Sequence, residues 1–401
     1  MKKIVFYSDC DFFAGCENMI AFFLNNNKAN FPKYEFELIY KKSHHYKLGL
    51  DMRVNETSKT SEINLWGFSI YKRKKILKSL FFVMNIIFMP AIIIQNYFKI
   101  LDALKKFKPD LLYLNNGGYP GSLSVRVASL AGKRLGIKTV MFVNNIPFSY
   151  KSLSRLIQYP FDLVIKNSVD LFITGSQSAN NSLKEVLKIS NSKRTQIFNA
   201  IDTSRFVINN KQNSKINTIN FGVLGLHDAR KGHIVLLRAI KDLKERKICS
   251  SNNFHLFIEG NGSTTNDLKN YVNLHKLNHE VTFMGHLKNI NEFYNLINVL
   301  VVPSISNEDL PNVISESFAF KIPVIGTKLA GIPEQIINEK NGFLVDINDH
   351  IGIAKKMEIF INKPTIISDM GQIAYESYKK NFSTDAVAMK YNKFFTKLLG
   401  N

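Results

Sequence analysis

The chain has 401 residues, of which 45% are hydrophobic, and it carries a net charge of +21. This length exceeds one ordinary hydrophobic core and indicates two domains, and the ordinary glycine and proline content excludes a largely disordered protein. Residues 1–200 hold +16 of the charge, so the partners to weigh are nucleic acid, an anionic membrane surface and a phosphate-bearing substrate.

The chain begins with a predicted strand, KKIVFYSD, and not with a secretory leader, because its apolar run is short and acidic residues follow it. Its three cysteines, Cys10, Cys16 and Cys249, are too few for a disulfide framework and fit a reducing compartment. Both observations predict a cytoplasmic protein.

Strand-like and helix-like segments alternate in the first half. Strands are predicted at KKIVFYSD, YEFELIYKK, PDLLYLNN, IKTVMFVNN and VDLFITGS. Helices are predicted at CENMIAFFLNN, residues 72–107, GSLSVRVASLAGKRLG and residues 179–187. RTQIFNAID closes this half, and the polar segment FVINNKQNSKINT after it lacks periodicity, which predicts a linker.

The second half restarts the same alternation. Strands are predicted at NTINFGVLG, NFHLFIEG, EVTFMGHL, NVLVVPS, IPVIGT and NGFLVD. Helices are predicted at HIVLLRAIKDLKER, DLKNYVNLHKL, INEFYNLI, LPNVISESFAF, GIPEQIINEK, HIGIAKKMEIFI, ISDMGQIAYESYKKNF and DAVAMKYNKFFTKLL.

Such alternation predicts an α/β protein with two Rossmann-like domains, because strands that alternate with helices pair in parallel under helices on both faces. We expect the first domain over residues 1–206 and the second over residues 207–384, with a last helix at about 385–401 that packs back on the first. Ligands of parallel sheets bind outside the carboxyl ends of the strands. A site is therefore expected in a central cleft that the two domains face.

The densest basic run, YKRKKILK at residues 71–78, leads into an apolar segment at residues 79–98. Asn85, Pro90 and Gln95 interrupt that segment, and a spanning helix needs roughly 20 mostly apolar residues. A buried core helix, an interfacial helix and a true span are all open from the sequence. The basic flank favours contact with an anionic lipid surface.

Two carboxylates stand eight positions apart in SNEDLPNVISESFAF, at Glu308 and Glu316. A predicted strand ends just before Glu308, and Pro311 suits the first turn of the helix that follows. The helix start at Asn312 and Val313 would attract an anion, above all phosphate. The alternative is an ordinary helix with acidic residues near its positive end.

Other strand ends in the second half carry cations and glycines. HDARKGH places Arg230 and Lys231 behind the first strand of this half, where they could neutralise a diphosphate or be mere surface charges. IEGNGS supplies Gly260 and Gly262, which allow close backbone approach, and FMGHL supplies Gly285.

Taken together, the run from FGVLGLHDARKG to NEKNGFLV resembles the donor domain of retaining, two-domain glycosyltransferases with the GT-B fold. This is the large family 4 type, which includes enzymes of bacterial envelope polysaccharide synthesis. Its E-x7-E signature corresponds to Glu308 and Glu316. IFNAIDTSRF resembles the family segment that closes the first domain, and FFAGCENMI resembles the Gly-Gly-x-Glu turn after the first strand. The resemblance covers the second half almost end to end and scattered points of the first.

The resemblance implies roles for individual residues. Glu316 would bind the ribose hydroxyls, Glu308 would contact the donor sugar, and Lys231 would bind the diphosphate. Further substrate contacts are implied for the following residues: the backbone at Asn312 and Val313, Gly15 against the diphosphate, and Gly285 with His286 beside the base.

Two positions depart from the family pattern. Leu226 follows Gly225 where an arginine is usual, and Arg230 is a candidate to replace its charge. Asn144 or Asn145 stands where a histidine is usual at the end of a first-domain strand. These asparagines could contact substrate or merely form the turn before a proline.

No required metal or other cofactor is expected. Asp9 and Asp11 resemble the metal-binding Asp-x-Asp of single-domain glycosyltransferases, but they follow the first strand, outside the donor half. There, cations and a helix start are already available for the leaving diphosphate.

The sequence therefore predicts a retaining glycosyltransferase that moves a sugar from a UDP- or GDP-linked donor to a glycan in cell-surface polysaccharide synthesis, with the acceptor bound by the first domain. The basic first half suggests a lipid-linked acceptor and a peripheral position on the anionic inner face of the plasma membrane. The alternatives are a sugar-nucleotide epimerase of the same fold and a catalytically inactive scaffold. A nucleic-acid partner is not expected, because no aromatic-basic binding module is present.

Overall fold

The computed structural model describes residues 1–13, 15–67, 75–204, 206–207, 218–246 and 253–400. The chain divides into two compact units, one made of Met1–Ala200 together with Val387–Asn401 and the other of Ile201–Ala386. Each contains one parallel sheet. Residues 71–74 of the basic run, most of the predicted linker and Cys249 lie outside the described residues.

The first unit is built on a parallel sheet in the order β3-β2-β1-β4-β5-β6-β7. Its strands are β1 (Lys2–Ser8), β2 (Tyr34–Lys41), β3 (Lys59–Ile63), β4 (Leu111–Asn116), β5 (Lys138–Val143), β6 (Leu171–Thr174) and β7 (Arg194–Gln196). The central strands β1 and β4 are almost wholly buried, as expected for near-continuous apolar runs with helices on both faces.

The second unit is built on a parallel sheet in the order β10-β9-β8-β11-β12-β13. Its strands are β8 (Ile219–Leu224), β9 (Phe254–Glu259), β10 (Val281–Gly285), β11 (Val299–Val302), β12 (Val324–Thr327) and β13 (Gly342–Val345). In both sheets the strand order reverses once, between β1 and β4 in the first and between β8 and β11 in the second.

Helices connect the strands of both sheets. In chain order they are α1 (Asn18–Asn25), α2 (Asn27–Asn30), α3 (His44–Asp51), α4 (Lys75–Ile87), α5 (Met89–Phe107), α6 (Leu123–Arg134), α7 (Leu153–Ser168), α8 (Gln177–Leu187), α9 (His233–Glu245), α10 (Thr265–Leu274), α11 (Ile290–Leu296), α12 (Asn312–Ala319), α13 (Ile332–Gln335), α14 (His350–Asn362), α15 (Ile366–Asn381) and α16 (Thr384–Leu399).

Several sequence predictions of individual elements were wrong or incomplete. The single helix expected over residues 72–107 is two helices, α4 and α5, which part at Phe88, with Pro90 in the first turn of α5. The helix expected over GIPEQIINEK is confined to α13, because a turn and the start of β13 follow it directly. The strands β3 and β7 and the helices α2, α3 and α7 were not predicted.

The core of the first unit on one face of its sheet is largely aromatic. Phe6 and Phe23 stack with ring centroids 4.8 Å apart, and Tyr391 of α16 meets the Phe23 ring edge-on, also at 4.8 Å. The hydroxyl groups of Tyr113 and Tyr391 lie 3.1 Å apart in this buried cluster. The last helix is therefore a structural part of the first unit, although it follows the whole second unit in the sequence.

None of the helices in the described part of the chain is both long enough and apolar enough to cross a membrane.

Candidate active site at the carboxyl edge of the second sheet

The reversal of strand order between β8 and β11 marks where a ligand is expected. Strands β9 and β10 lie on one side of β8, and β12 and β13 lie on the far side of β11. In parallel α/β sheets the loops leaving two such strands diverge and open a crevice at the carboxyl edge of the sheet. The loop after β8 carries Arg230 and Lys231, and the loop after β11 carries Glu308.

The loop after β8 is fixed to the loop after β11 by its backbone. Asp228 accepts a hydrogen bond from the Arg230 N–H at 3.0 Å and starts a short 3-10 turn over Ala229–Lys231. The Arg230 carbonyl in turn accepts from the Ile305 N–H at 2.8 Å. Gly232 ends the turn at φ +70°, a left-handed conformation that favours glycine.

Gly232 also permits the contact between the two loops. A Cβ atom at this position would lie 1.9 Å from the carbonyl oxygen of Pro303, which real Cβ atoms essentially never do. Gly232→Ala is therefore expected to lower the free energy of unfolding by about 3 kcal/mol or more, since it adds a backbone clash to the ~1–2 kcal/mol cost of a left-handed alanine. Urea-unfolding midpoints measure this loss.

Gly136→Ala is the matched control for that substitution. Gly136 has a similar φ of +67°, but a Cβ there would meet no atom within 4 Å. Its alanine variant should show the left-handed cost of about 1–2 kcal/mol alone. Equal losses in the two variants would contradict the account of the Gly232 contact.

Glu308 lies among cations in this crevice. The Lys231 Nζ and the Glu308 Oε2 form a close ion pair, and the Arg230 Nη1 lies 3.7 Å from the same oxygen. The Ser304 hydroxyl donates to Glu308 Oε2 at 3.3 Å. The side chains of Lys231 and Glu308 are 18% and 13% exposed, so a small ligand can reach them while bulk water screens them only partly. Two cations against one carboxylate leave a net positive charge that suits a diphosphate.

Glu316 lies on α12, whose amino end is at the same edge of the sheet. Helix α12 begins at Asn312, with Val313 second, and Pro311 precedes the helix in an extended conformation instead of lying in its first turn. The Tyr294 hydroxyl donates to Glu316 Oε2 at 2.7 Å. Burial and then the Glu316 charge raise the pKa of Tyr294 well above its usual range, so the phenol stays a donor at neutral pH.

Tyr294 and Glu259 are two candidate site residues that the sequence reasoning missed. Glu259 ends β9, is buried, and accepts from the Leu287 N–H at 3.1 Å, while His286 Nδ1 lies 3.2 Å from its Oε1. This contact holds the His286 ring at the end of β10, with 79% of its side chain exposed. An acid directly before the glycines of IEGNGS was the available signal for Glu259.

The glycines of that segment do allow close backbone approach, as predicted. A Cβ on Gly260 would lie 2.1 Å from the Gly225 carbonyl oxygen, and one on Gly262 would lie 2.2 Å from the His227 carbonyl oxygen. The Gly260 N–H donates to the Gly285 carbonyl at 2.8 Å. The loops after β8, β9 and β10 are thus packed backbone to backbone. Gly285 itself has a φ of +68° with open space where a side chain would stand.

Two buried histidines support the loop after β8. Their rings lie 4.9 Å apart, at His227 and at His233, the first residue of α9. His227 Nδ1 lies 2.9 Å from the Thr265 hydroxyl, whereas both ring nitrogens of His233 lack a hydrogen-bond partner among the described residues. Burial, followed by the charges of His227 and Lys231, lowers the pKa of His233 to about 3. His233 is therefore neutral at physiological pH.

The three predicted site residues of the first unit are Gly15, Asn144 and Asn145, and the other eight lie in the second unit. Gly15 opens a 3-10 turn, Gly15–Glu17, and a Cβ there would meet nothing within 4 Å. Asn145 Oδ1 accepts from the Ile146 N–H at 2.7 Å, which matches the turn-forming alternative. Asn144 Oδ1 instead accepts from the Asn199 side chain at 3.2 Å.

The Asp-x-Asp segment of the first unit is engaged with a lysine. The Lys41 Nζ lies 3.2 Å from a carboxylate oxygen of both Asp9 and Asp11. Burial disfavours the charged ammonium, but the two carboxylates outweigh it and raise the pKa of Lys41. The Ser124 hydroxyl also donates to Asp9 at 2.7 Å. The carboxylates of Asp9 and Asp11 are therefore both engaged by groups of the first unit.

Two family models match most of the chain. Residues 204–377 match the model described as "Glycosyl transferases group 1", and residues 77–205 match the model described as "Glycosyltransferase Family 4". The two matches meet at residues 204–205, near the boundary of the two compact units.

Named relatives and solved structures agree with these matches. The capsular polysaccharide biosynthesis glycosyltransferase CapM of Staphylococcus aureus is 26% identical over 54% of this chain, a match that spans about half (52%) of the relative's length. The N-acetyl-alpha-D-glucosaminyl L-malate synthase of Bacillus anthracis is 23% identical over 75% of this chain and 78% of its own. The crystal structure of Anabaena Alr3699/HepE in complex with UDP superimposes with a TM-score of 0.77 at 15% identity, covering 99% of this chain and 100% of that one. The structural likeness confirms the predicted fold, two Rossmann-like parallel-sheet domains of the GT-B type.

Proposed function

We propose that the chain, which belongs to the GT-B glycosyltransferases and has a family 4 domain followed by a group 1 domain, transfers a sugar with retention at the anomeric carbon. The donor is a nucleotide-diphosphate sugar, and the acceptor is a glycan. The observation that supports this proposal most is the group of Arg230, Lys231 and Glu308 at the strand-order reversal of the second sheet. Cations held there beside a helix amino terminus suit a sugar whose leaving group is a diphosphate.

In this proposal the protein acts mainly by electrostatics. The bond from the anomeric carbon to the diphosphate oxygen breaks, the acceptor oxygen bonds to that carbon on the same face, and the acceptor proton passes to the departing phosphate oxygen. As the first bond lengthens, Lys231, Arg230 and the start of α12 stabilise the charge that grows on the diphosphate. Glu308 orients the sugar, which gains oxocarbenium character. No metal is required by this route.

The nucleoside end of the donor is assigned to the neighbouring strand ends. Glu316, oriented by Tyr294, would accept hydrogen bonds from the ribose hydroxyls. Gly285 and the exposed His286 ring, held by Glu259, would lie beside the base. Because solved structures of the same fold carry UDP or UDP-glucose, uridine donors are the first to test, and GDP-linked donors are the alternative.

A panel of nucleotide sugars tests the proposed reaction. With a suitable acceptor, the protein should release nucleoside diphosphate at a rate that added Mg²⁺ or Mn²⁺ does not raise. Glu316→Ala should abolish release, because the lost carboxylate removes charge-assisted hydrogen bonds worth about 1.5–3 kcal/mol each. Release of a free epimer would point to an epimerase, and no release from any donor would point to an inactive scaffold.

For the acceptor, we propose a lipid-linked glycan at the anionic inner face of the plasma membrane, approached by the first unit. Three helices of this unit carry exposed apolar side chains; they include Leu80, Val83, Ile86 and Ile87 on α4, Ile94 and Phe98 on α5, and Leu153, Leu156, Ile157 and Val164 on α7. Together with the excess of +16 in residues 1–200, these exposed apolar side chains suit a peripheral attachment to anionic lipid.

Vesicle co-sedimentation tests the attachment. The double substitution of Leu156 and Ile157 by glutamine is expected to weaken binding to anionic vesicles by about tenfold or more, since each side chain contributes roughly 1.5–3 kcal/mol when buried. Leu274→Gln is the matched control, because Leu274 is 76% exposed in the second unit. Equal partitioning of the wild type and the double variant would contradict the proposal. Binding of the wild type to zwitterionic vesicles as strong as its binding to anionic vesicles would contradict it as well.

A further inference from the structure

A cluster of potential metal ligands lies in the first unit, just beyond the carboxyl end of β1. The sulfur atoms of Cys10 and Cys16 and a carboxylate oxygen of Glu17 all lie within 4.8 Å of one another. This is the site of the strand-order reversal between β1 and β4. The residues proposed for transfer in the second unit do not include any of the three.

The carboxylate of this cluster is held in place by its surroundings. Glu17 is 1% exposed, and its Oε2 lies 2.6 Å from the Cys16 sulfur. Its Oε1 accepts from the Ser8 hydroxyl and from the Asn115 side-chain amide, both at 3.2 Å. Fixed outer partners of this kind orient metal-ligating carboxylates in known sites. Cys10 and Cys16 are half-buried, so an ion can enter from the solvent side.

The chemistry of the three ligands selects the ion. Thiolates are soft ligands that hard cations such as Mg²⁺ and Ca²⁺ avoid, whereas Zn²⁺ accepts both sulfur and carboxylate oxygen. Tetrahedral Zn²⁺ has its sulfur ligands at about 2.3 Å and its oxygen ligands at about 2.0–2.2 Å. Ligand atoms grouped within 4.8 Å of one another can meet these distances with small side-chain movements.

We propose that Cys10, Cys16 and Glu17 form a Zn²⁺ site in which solvent supplies the fourth ligand. Binding replaces the two thiol protons, which leave to solvent, so the affinity rises with pH. Cys10 and Cys16 stand at the two ends of the loop that carries Gly15. The ion would therefore fix both ends of this loop. Zinc binding does not rest on the proposed transferase function, although any effect of zinc on the transfer rate does.

Metal titration of the reduced full-length protein tests the site. Zn²⁺ should bind at one equivalent in competition with a chromophoric chelator, and Co²⁺ in its place should show a sulfur-to-metal charge-transfer band. Cys10→Ser and Cys16→Ser should each reduce the intensity of this band, since one thiolate remains, and should weaken zinc binding at least tenfold. Cys249→Ser is the matched control, which should bind like the wild type. Equal zinc affinity in Cys10→Ser and the wild type would overturn the proposal.

Alkylation of the wild type gives a second readout that needs no variant and no activity. Zinc should protect Cys10 and Cys16 from iodoacetamide, while the labelling rate of Cys249 stays the same within the same sample. Absence of selective protection would overturn the proposal. So would reduced protein that binds no zinc and, on air oxidation, forms a Cys10–Cys16 disulfide, since the pair would then be a redox couple only. If zinc protects Cys10 and Cys16 but the protein shows no transfer activity, only the transferase assignment is contradicted.

Discussion

Lys231→Met should lower kcat for sugar transfer by about 10²–10³-fold while changing KM for the donor much less. The reason is that the charge on the diphosphate grows as the bond to the sugar breaks, so a cation placed there contributes more in the transition state than in the ground state. Initial rates of nucleoside diphosphate release over a range of donor concentrations separate kcat from KM.

Lys328→Met is the matched control for this variant. Lys328 also pairs with a carboxylate in the second unit, Asp346 at 2.9 Å, but both side chains are more than half exposed. Such exposed pairs contribute about 0–1 kcal/mol, so both kinetic parameters should stay near the wild-type values. A large rise in KM for Lys231→Met with unchanged kcat would show that Lys231 only binds the ground state and would contradict the electrostatic mechanism.

The second unit is expected to lose stability in mild acid because of His233. Its pKa is 6.5 in the unfolded chain and about 3 in the folded one, so between these values the unfolded state binds the extra proton. The free energy of unfolding should therefore be unaffected above pH 7 and should fall by about 2 kcal/mol between pH 7 and pH 5. Urea-unfolding midpoints at the two pH values measure this change.

A variant without a titratable side chain at position 233 should lose most of this acid sensitivity. His233→Leu should show a much smaller fall between pH 7 and pH 5, whatever its stability at pH 7. His279→Leu, at an exposed position, should retain the wild-type fall. An equal fall in wild type and His233→Leu would assign the acid sensitivity to other groups.

Much of the second unit could be predicted from the sequence because its strands are continuous apolar runs with glycines at their ends. The strand β3 was missed because KTSEI is short and polar, as befits an edge strand paired only with β2. Helix α7 was missed although it is sixteen residues long, because Pro160 and exposed apolar residues obscure its periodicity.

Part of the candidate site could also be predicted from the sequence, because several of its residues follow predicted strands. Arg230, Lys231 and Glu308 follow predicted strands, so their placement at one sheet edge needed only the rule that parallel strands share a carboxyl edge. Their contact also needs β8 and β11 to be neighbours, which the order of strands in the chain does not reveal. Tyr294 lies on α11 before β11, so no strand end points to it, and Glu259 was missed although its position before the glycines of IEGNGS was visible.

The packing of α16 against Phe23 and Tyr113 has a consequence for biosynthesis. A ribosome delivers residues 1–200 first and must then produce the entire second unit before Tyr391 and Phe395 emerge. Until that moment the nascent amino-terminal half presents an open aromatic surface to solvent and to chaperones. Premature termination shortly before residue 387 would leave that surface permanently uncovered, so it should yield an aggregating product although the whole second unit is already made.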